Sequence, residues 1–170
     1  MAEPETVAVR AHKLYKVFGR RPQEAVRALE EGAGRDEVAN LGTAAVIDAS
    51  FEVKAGEIFV FMGLSGSGKS TLIRMLNGLL EPTSGVVTIA GTDISGIPAR
   101  ELREVRRKKI SMVFQHFALL PHRTVLDNAA YPLEIQGMPR AARREKAAEA
   151  LALTGLAGWE DSLPSELSGG

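Results

Sequence analysis

The stretch Ile58-Phe-Val-Phe-Met-Gly-Leu-Ser-Gly-Ser-Gly-Lys-Ser70 decides the fold. Its first five residues form an unbroken apolar run between Gly56 and Gly63, which predicts a short parallel strand buried on both faces. Gly63–Gly68 is a Gly/Ser loop. Lys69–Leu80 predicts a helix that carries Leu72, Ile73, Leu76, Leu79 and Leu80 on one face. The eight residues Gly63-Leu-Ser-Gly-Ser-Gly-Lys-Ser70 match the P-loop pattern G-x-x-x-x-G-K-[ST]. Glycines let the backbone bend round a phosphate, and successive amides then point inward as an anion nest. The positive end of the helix adds to that field. Lys69 is placed to reach the β- and γ-phosphates, and the Ser70 hydroxyl to ligate Mg²⁺. The expected nucleotide contacts are Gly63, Leu64, Ser65, Gly66, Ser67, Gly68, Lys69, Ser70 and Thr71. A chance match in a chain this long is on the order of one in a hundred. A strand before the motif and a helix after it separate this P-loop from a plain Gly/Ser turn.

Working outward, Val7–Val17 and Val46–Val53 predict strands joined by a longer segment. Within it, Pro22–Glu31 predicts a helix with Pro22 in its first turn, ended by Gly32-Ala-Gly34. Asp36 is placed to cap a second short helix through Leu41. After the P-loop, Val86–Ala90 predicts a strand, Pro98–Arg107 a charged helix and Ile110–Phe114 another apolar strand. Thr124–Gln136 and Pro139–Thr154 predict two helices joined at Gly137. These elements give an α/β fold class.

Composition narrows the function classes. The chain has 170 residues, 45% hydrophobic and 25% charged, with Lys+Arg and Asp+Glu equal at 21 each. A neutral total gives no support for nucleic acid as a partner. There is no Cys, which removes thiol nucleophiles, disulfides and Cys-ligated metals. No apolar run approaches the length of a bilayer span, and Met1–Arg10 does not read as a signal peptide. His12, His116 and His122 have no metal-ligand spacing. The basic run Arg103, Arg106, Arg107, Lys108, Lys109 reads as a solvated helix face.

A P-loop alone names a nucleoside triphosphate, not a machine. Two further features resemble the ATP-binding cassette (ABC) transporter ATPases. Gln115, directly after the run Ile110–Phe114, is similar to that family's Q-loop glutamine. On its own chemistry it reads as a loop residue; the resemblance implies contact with Mg²⁺ and the attacking water. Leu167-Ser-Gly-Gly170 matches the family's signature motif. The resemblance implies that Ser168, Gly169 and Gly170 meet the ATP held by a second ATPase subunit, closing a homodimer across P-loop and signature. Phe59–Glu81, Glu101–Gln115 and Phe117–Gly137 are similar to the ATPase subunits of osmoprotectant importers of the glycine betaine/proline type, as is the segment 20–42, read as a helical insertion. The arrangement that the resemblance implies is a P-loop core of parallel strands with an antiparallel β part and a helical subdomain, which would be residues 116–165.

By that resemblance Phe18 is the adenine-stacking aromatic, with Tyr15 as runner-up. The implied cofactors are ATP and Mg²⁺, the catalytic residues Lys69 and Gln115, and the metal ligands Ser70 and Gln115. Transmembrane permease subunits are the implied partners, met partly by the loop Ala118–Arg123, at the cytoplasmic face of the plasma membrane. The family's Asp-terminated strand, water-activating Glu and later His find no counterpart up to Gly170. The domain is thus expected to be incomplete, to bind nucleotide without useful hydrolysis, and to be marginally stable or to aggregate. A truncated, non-hydrolysing binding module is the alternative to an energy-coupling ATPase. A DNA-repair ATPase of the same superfamily needs a long coiled-coil insertion between Gln115 and Leu167, for which there is no room.

Overall fold

The computed structural model describes residues 6–114 and 118–167. They form two compact units, residues 1–111 and 112–170. In the first, β1 (Val7–Phe18), β2 (Thr43–Lys54), β3 (Ser84–Ile89) and β4 (Thr92–Asp93) make one sheet in the order β2-β1-β3-β4. Every pairing in it is antiparallel. Lys13 and Asp48 take positive φ (47° and 46°), where the β1–β2 register slips. Such bulges twist and bend the ribbon.

Two apolar clusters sit on this sheet. One gathers Ala11, Leu14, Val46, Met75, Val87, Ile89 and Ile94, and Leu14 is fully buried. It joins the sheet to α2 (Lys69–Leu76) and, through half-buried Leu102 and Val105, to α3 (Ala99–Lys109). The other packs α1 (Pro22–Glu30) against β1 through Tyr15, Val17, Ala25, Val26 and Leu29, with Val38 closing it. The basic helix α3 is solvated as expected. It buries no residue fully, Arg107 and Lys108 pair with Glu104, and Lys109 donates to the Thr92 hydroxyl at 2.9 Å.

Four expectations change. The run 58–62 is not a ladder strand buried on both faces. Phe59 and Phe61 pack on Phe51, with ring centroids 5.2 and 5.1 Å away, while Ile58, Val60 and Met62 on the other side are exposed. Among the described residues no segment hydrogen-bonds to its edges as a strand, and a strand exists only by pairing. The same holds for Ile110–Phe114, where Val113 is exposed. The sheet of the described residues thus contains no parallel pair. The segment 36–41 is a chain of turns, with Ala39 N–H on Asp36 O and Leu41 N–H on Val38 O. Six residues give too few bonds to offset helix nucleation. Finally, α2 stops at Leu76, four residues before the predicted end, because Asn77 accepts the Leu79 N–H on its side chain and Gly78 turns left-handed.

The second unit is an antiparallel helix pair, α4 (Val125–Ile135) and α5 (Arg140–Leu153), followed by a 3₁₀ turn at Pro164–Glu166. Val125, Leu126, Ala130, Ala147 and Leu151 form its core. Thr124 caps α4 by accepting the Asp127 N–H, and the Val125 and Leu126 amides donate to the carbonyls of Ser162 and Glu160. Glu134 takes both Arg123 and Arg143, at 3.0 and 3.2 Å, and Asp127 takes Arg144. No helix of the described residues is long and apolar enough to cross a membrane.

Candidate functional site: the loop of residues 63–70

The loop lies between the aromatic-backed run 57–62 and the N-terminus of α2. Gly63, Gly66 and Gly68 all have φ between +79° and +154°, a region that L side chains avoid. Gly68 is the N-cap of α2, with φ of 89° and no side-chain cap, and no acidic residue follows in the first turn. The first amides of α2 are therefore free of any carboxylate or hydroxyl cap, the condition for receiving an external anion.

Lys69 folds back over this loop. Its ammonium donates to the carbonyls of Gly63 (2.8 Å) and Leu64 (2.6 Å) and to the Ser67 hydroxyl (3.1 Å). Three donors meet three acceptors, so the cation is held at the centre of the loop. A Cβ on Gly63 would lie 3.0 Å from the Ser67 Oγ, so the curl tolerates little there. A caged cation, uncapped helix amides and a loop made mostly of Gly and Ser fit a polyphosphate. Ser70 and Thr71 follow in the first turn of α2, and the Ser70 hydroxyl would hold the Mg²⁺ of a bound Mg-nucleotide. The metal would supply charge neutralisation between phosphate oxygens.

A cavity of about 680 Å³ opens beside the loop. Its lining includes Gly63, Ser67, Gly68 and Lys69 of the loop, residues 45–51 of β2, the apolar residues 59–62 with Leu72, and Arg35 from the segment after α1. Sequence reasoning passed over Arg35, because a lone arginine in a turn carries no motif.

The remaining expected site residues are distributed as follows. Phe18 ends β1 with its ring 45% exposed and the Lys16 ammonium 5.3 Å from the ring centroid. It pairs with Thr43, two residues along β2 from Ala45, whose carbonyl abuts Gly68. Tyr15 is no stacking surface, since it is buried between β1 and α1. That burial, with the nearby Asp48 and Glu30 carboxylates, pushes its phenol pKa up. Gln115, Ser168, Gly169 and Gly170 lie outside the described residues. Among the described residues no cluster of His, Cys, Asp or Glu could hold a metal.

Comparison with known proteins agrees with this geometry. The family model described as "ABC transporter" matches residues 46–170. The glycine betaine transport ATP-binding protein OpuAA of Bacillus subtilis is 51% identical over 99% of the chain, and the glycine betaine/proline betaine transport ATP-binding protein ProV of Escherichia coli is 54% identical over 92% of it. The chain spans 41% and 40% of those two proteins, about two fifths of their length. The dimeric, post-hydrolysis structure of the ATP-binding cassette MJ0796 bound to ADP and Pi superposes with a TM-score of 0.76 at 30% identity, over 95% of this chain and 63% of that one. A P-loop built on an α/β fold, read with these matches, places the chain in the ABC transporter family.

Proposed function

We propose that the chain is the nucleotide-binding part of an energy-coupling ATPase subunit of an ABC importer for quaternary amines of the glycine betaine/proline type. The observation that carries this is the Lys69 ammonium, caged by Gly63, Leu64 and Ser67 above the uncapped start of α2. In this reading ATP enters with its phosphates on the loop. Lys69 leaves its loop acceptors for phosphate oxygens, Ser70 orients the metal, and Phe18 offers a ring to the base. Gln115 would place water and metal. Ser168, Gly169 and Gly170 would reach the nucleotide of a second ATPase subunit. The substrate class rests on the named relatives OpuAA and ProV, and the dimer on the cassette MJ0796. Docking on permease subunits at the cytoplasmic membrane face follows from the same reading, as do residues 20–42 as an insertion and 116–165 as the helical subdomain.

The test is titration of the chain with a fluorescent ATP analogue and Mg²⁺, repeated with Lys69→Ala. Saturable binding that the substitution weakens at least about tenfold supports the reading. Binding that ignores Lys69 refutes it. Phosphate release measured in the same samples separates a coupled ATPase from a module that binds without turnover.

A further inference from the structure

Arg35 is the one cation of the cavity wall that the P-loop motif does not account for. It stands on the segment between α1 and β2, outside the P-loop, yet lines the same cavity as Lys69. The segment is well held: Ala33 N–H bonds to Ala28 O at 2.9 Å, Glu37 N–H to Gly34 O at 3.1 Å, and Val38 is 1% exposed. Among the described residues the Arg35 guanidinium makes no hydrogen bond or ion pair. Asp48 lines the cavity too, but does not pair with it. The neighbouring Glu37 carboxylate is occupied by the Gly34 amide at 2.5 Å. The cavity wall therefore carries two cations and one carboxylate. A guanidinium stays charged at any working pH and presents five donors in a planar fork suited to phosphate oxygens.

We propose that Arg35 is a second cationic anchor for the nucleotide's polyphosphate, delivered to the P-loop by the segment that precedes β2. This rests on the nucleotide-binding reading above. Arg35 would hold phosphate from the β2 side while Lys69 holds it from the α2 side, so affinity would grade with phosphate charge. A solvated arginine with no ligand is the competing account, and it predicts no such grading.

The experiment competes ATP, ADP, AMP and adenosine against fluorescent ATP on the wild-type chain, Arg35→Ala, Arg35→Lys and Lys69→Ala. The expected result is that Arg35→Ala weakens ATP about 3- to 10-fold, ADP less, and adenosine not at all. Arg35→Lys should recover part of the loss, and all variants should keep the wild-type melting curve. ATP affinity within twofold of wild type in Arg35→Ala overturns the proposal, as does an equal loss for ATP and adenosine. If that happens while Lys69→Ala still loses ATP, only the Arg35 assignment fails. If the wild type itself binds no ATP, or Lys69→Ala binds normally, the nucleotide reading fails and takes Arg35 with it. Should Arg35→Ala melt early, Arg35→Lys decides: a folded Lys variant with graded affinity supports the anchor, and an ungraded one removes it.

Discussion

Gly68 packs directly on Ala45: a Cβ added to Gly68 would lie 2.1 Å from the Ala45 carbonyl oxygen. The contact joins the P-loop to β2 with backbone against backbone, so neither side has a flexible side chain to move. Gly68 also holds a φ of 89°. Gly68→Ala should therefore destabilise the chain by about 2–4 kcal/mol, combining left-handed strain with overpacking. Gly66 is the control. Its φ is 79°, but an added Cβ would meet nothing within 4 Å, so Gly66→Ala should cost only about 1–2 kcal/mol. Urea unfolding of both variants measures the difference.

Removing the Lys69 ammonium should separate binding from stability. Its three hydrogen bonds are to exposed loop atoms, where water replaces a lost partner and the net contribution to stability is small. Lys69→Met should lower nucleotide affinity at least about tenfold while shifting the melting temperature only slightly. Isothermal titration beside calorimetric melting reads both.

Tyr15 should set the alkaline limit of stability. Burial, then Asp48 and Glu30, raise its pKa in the folded chain above the ordinary value of 10.0. A raised folded pKa means that the folded state holds the proton longer than the unfolded one. The stabilisation is complete below the unfolded pKa and is lost as pH rises through the folded one. Unfolding free energy measured from pH 9 to 11.5 should fall with pH in the wild type, and less steeply in Tyr15→Phe.

Asn128 organises the start of the helical unit. Its amide nitrogen donates to the carbonyls of Leu120, Arg123 and Thr124, and its oxygen accepts the Leu120 N–H at 2.7 Å. Asn128→Ala should cost about 1–3 kcal/mol by leaving these half-buried groups without partners. Asn128→Asp should rescue only the Leu120 N–H contact, since a carboxylate cannot donate. Amide exchange at Leu120 in the three proteins tests this.

The outer side of the run 58–62 should make the chain associate. Ile58 and Met62 are 89% and 88% exposed, and Leu64 is exposed as well. Ile58, Met62 and Leu64, close together in the chain and exposed, form an apolar stretch of the kind that drives self-association. Light scattering should show concentration-dependent growth, reduced in the double variant Ile58→Lys, Met62→Lys.

The sequence carried the local structure well. Pro22 at the head of α1, Thr124 at the head of α4 and Pro139 before α5 marked helix starts to within a residue or two, because caps and proline act through adjacent backbone. The P-loop was legible for the same reason: its glycines, Lys69 and Ser70 are neighbours in the chain, so their chemistry is written in order. The expected strands 7–17, 46–53 and 86–90 formed as β1, β2 and β3, but the apolar runs 58–62 and 110–114 found no pairing partner among the described residues. Ile58-Phe-Val-Phe-Met62 is apolar throughout, yet only Phe61 is half-buried, while Phe59 stacks on Phe51 and stays exposed.

The amino-acid sequence by itself determined that a glycine-rich turn would form between residues 63 and 70 and that helices would follow it, since these depend on backbone freedom and short-range periodicity. Only the tertiary structure decided that Gly68 rests on Ala45, that Tyr15 is buried while Phe18 stays exposed, and that Arg35 shares a cavity with Lys69. Gly68 and Ala45, like Arg35 and Lys69, are far apart in the chain, and Tyr15 is covered by residues of α1; tertiary packing, which no local pattern encodes, brings them together.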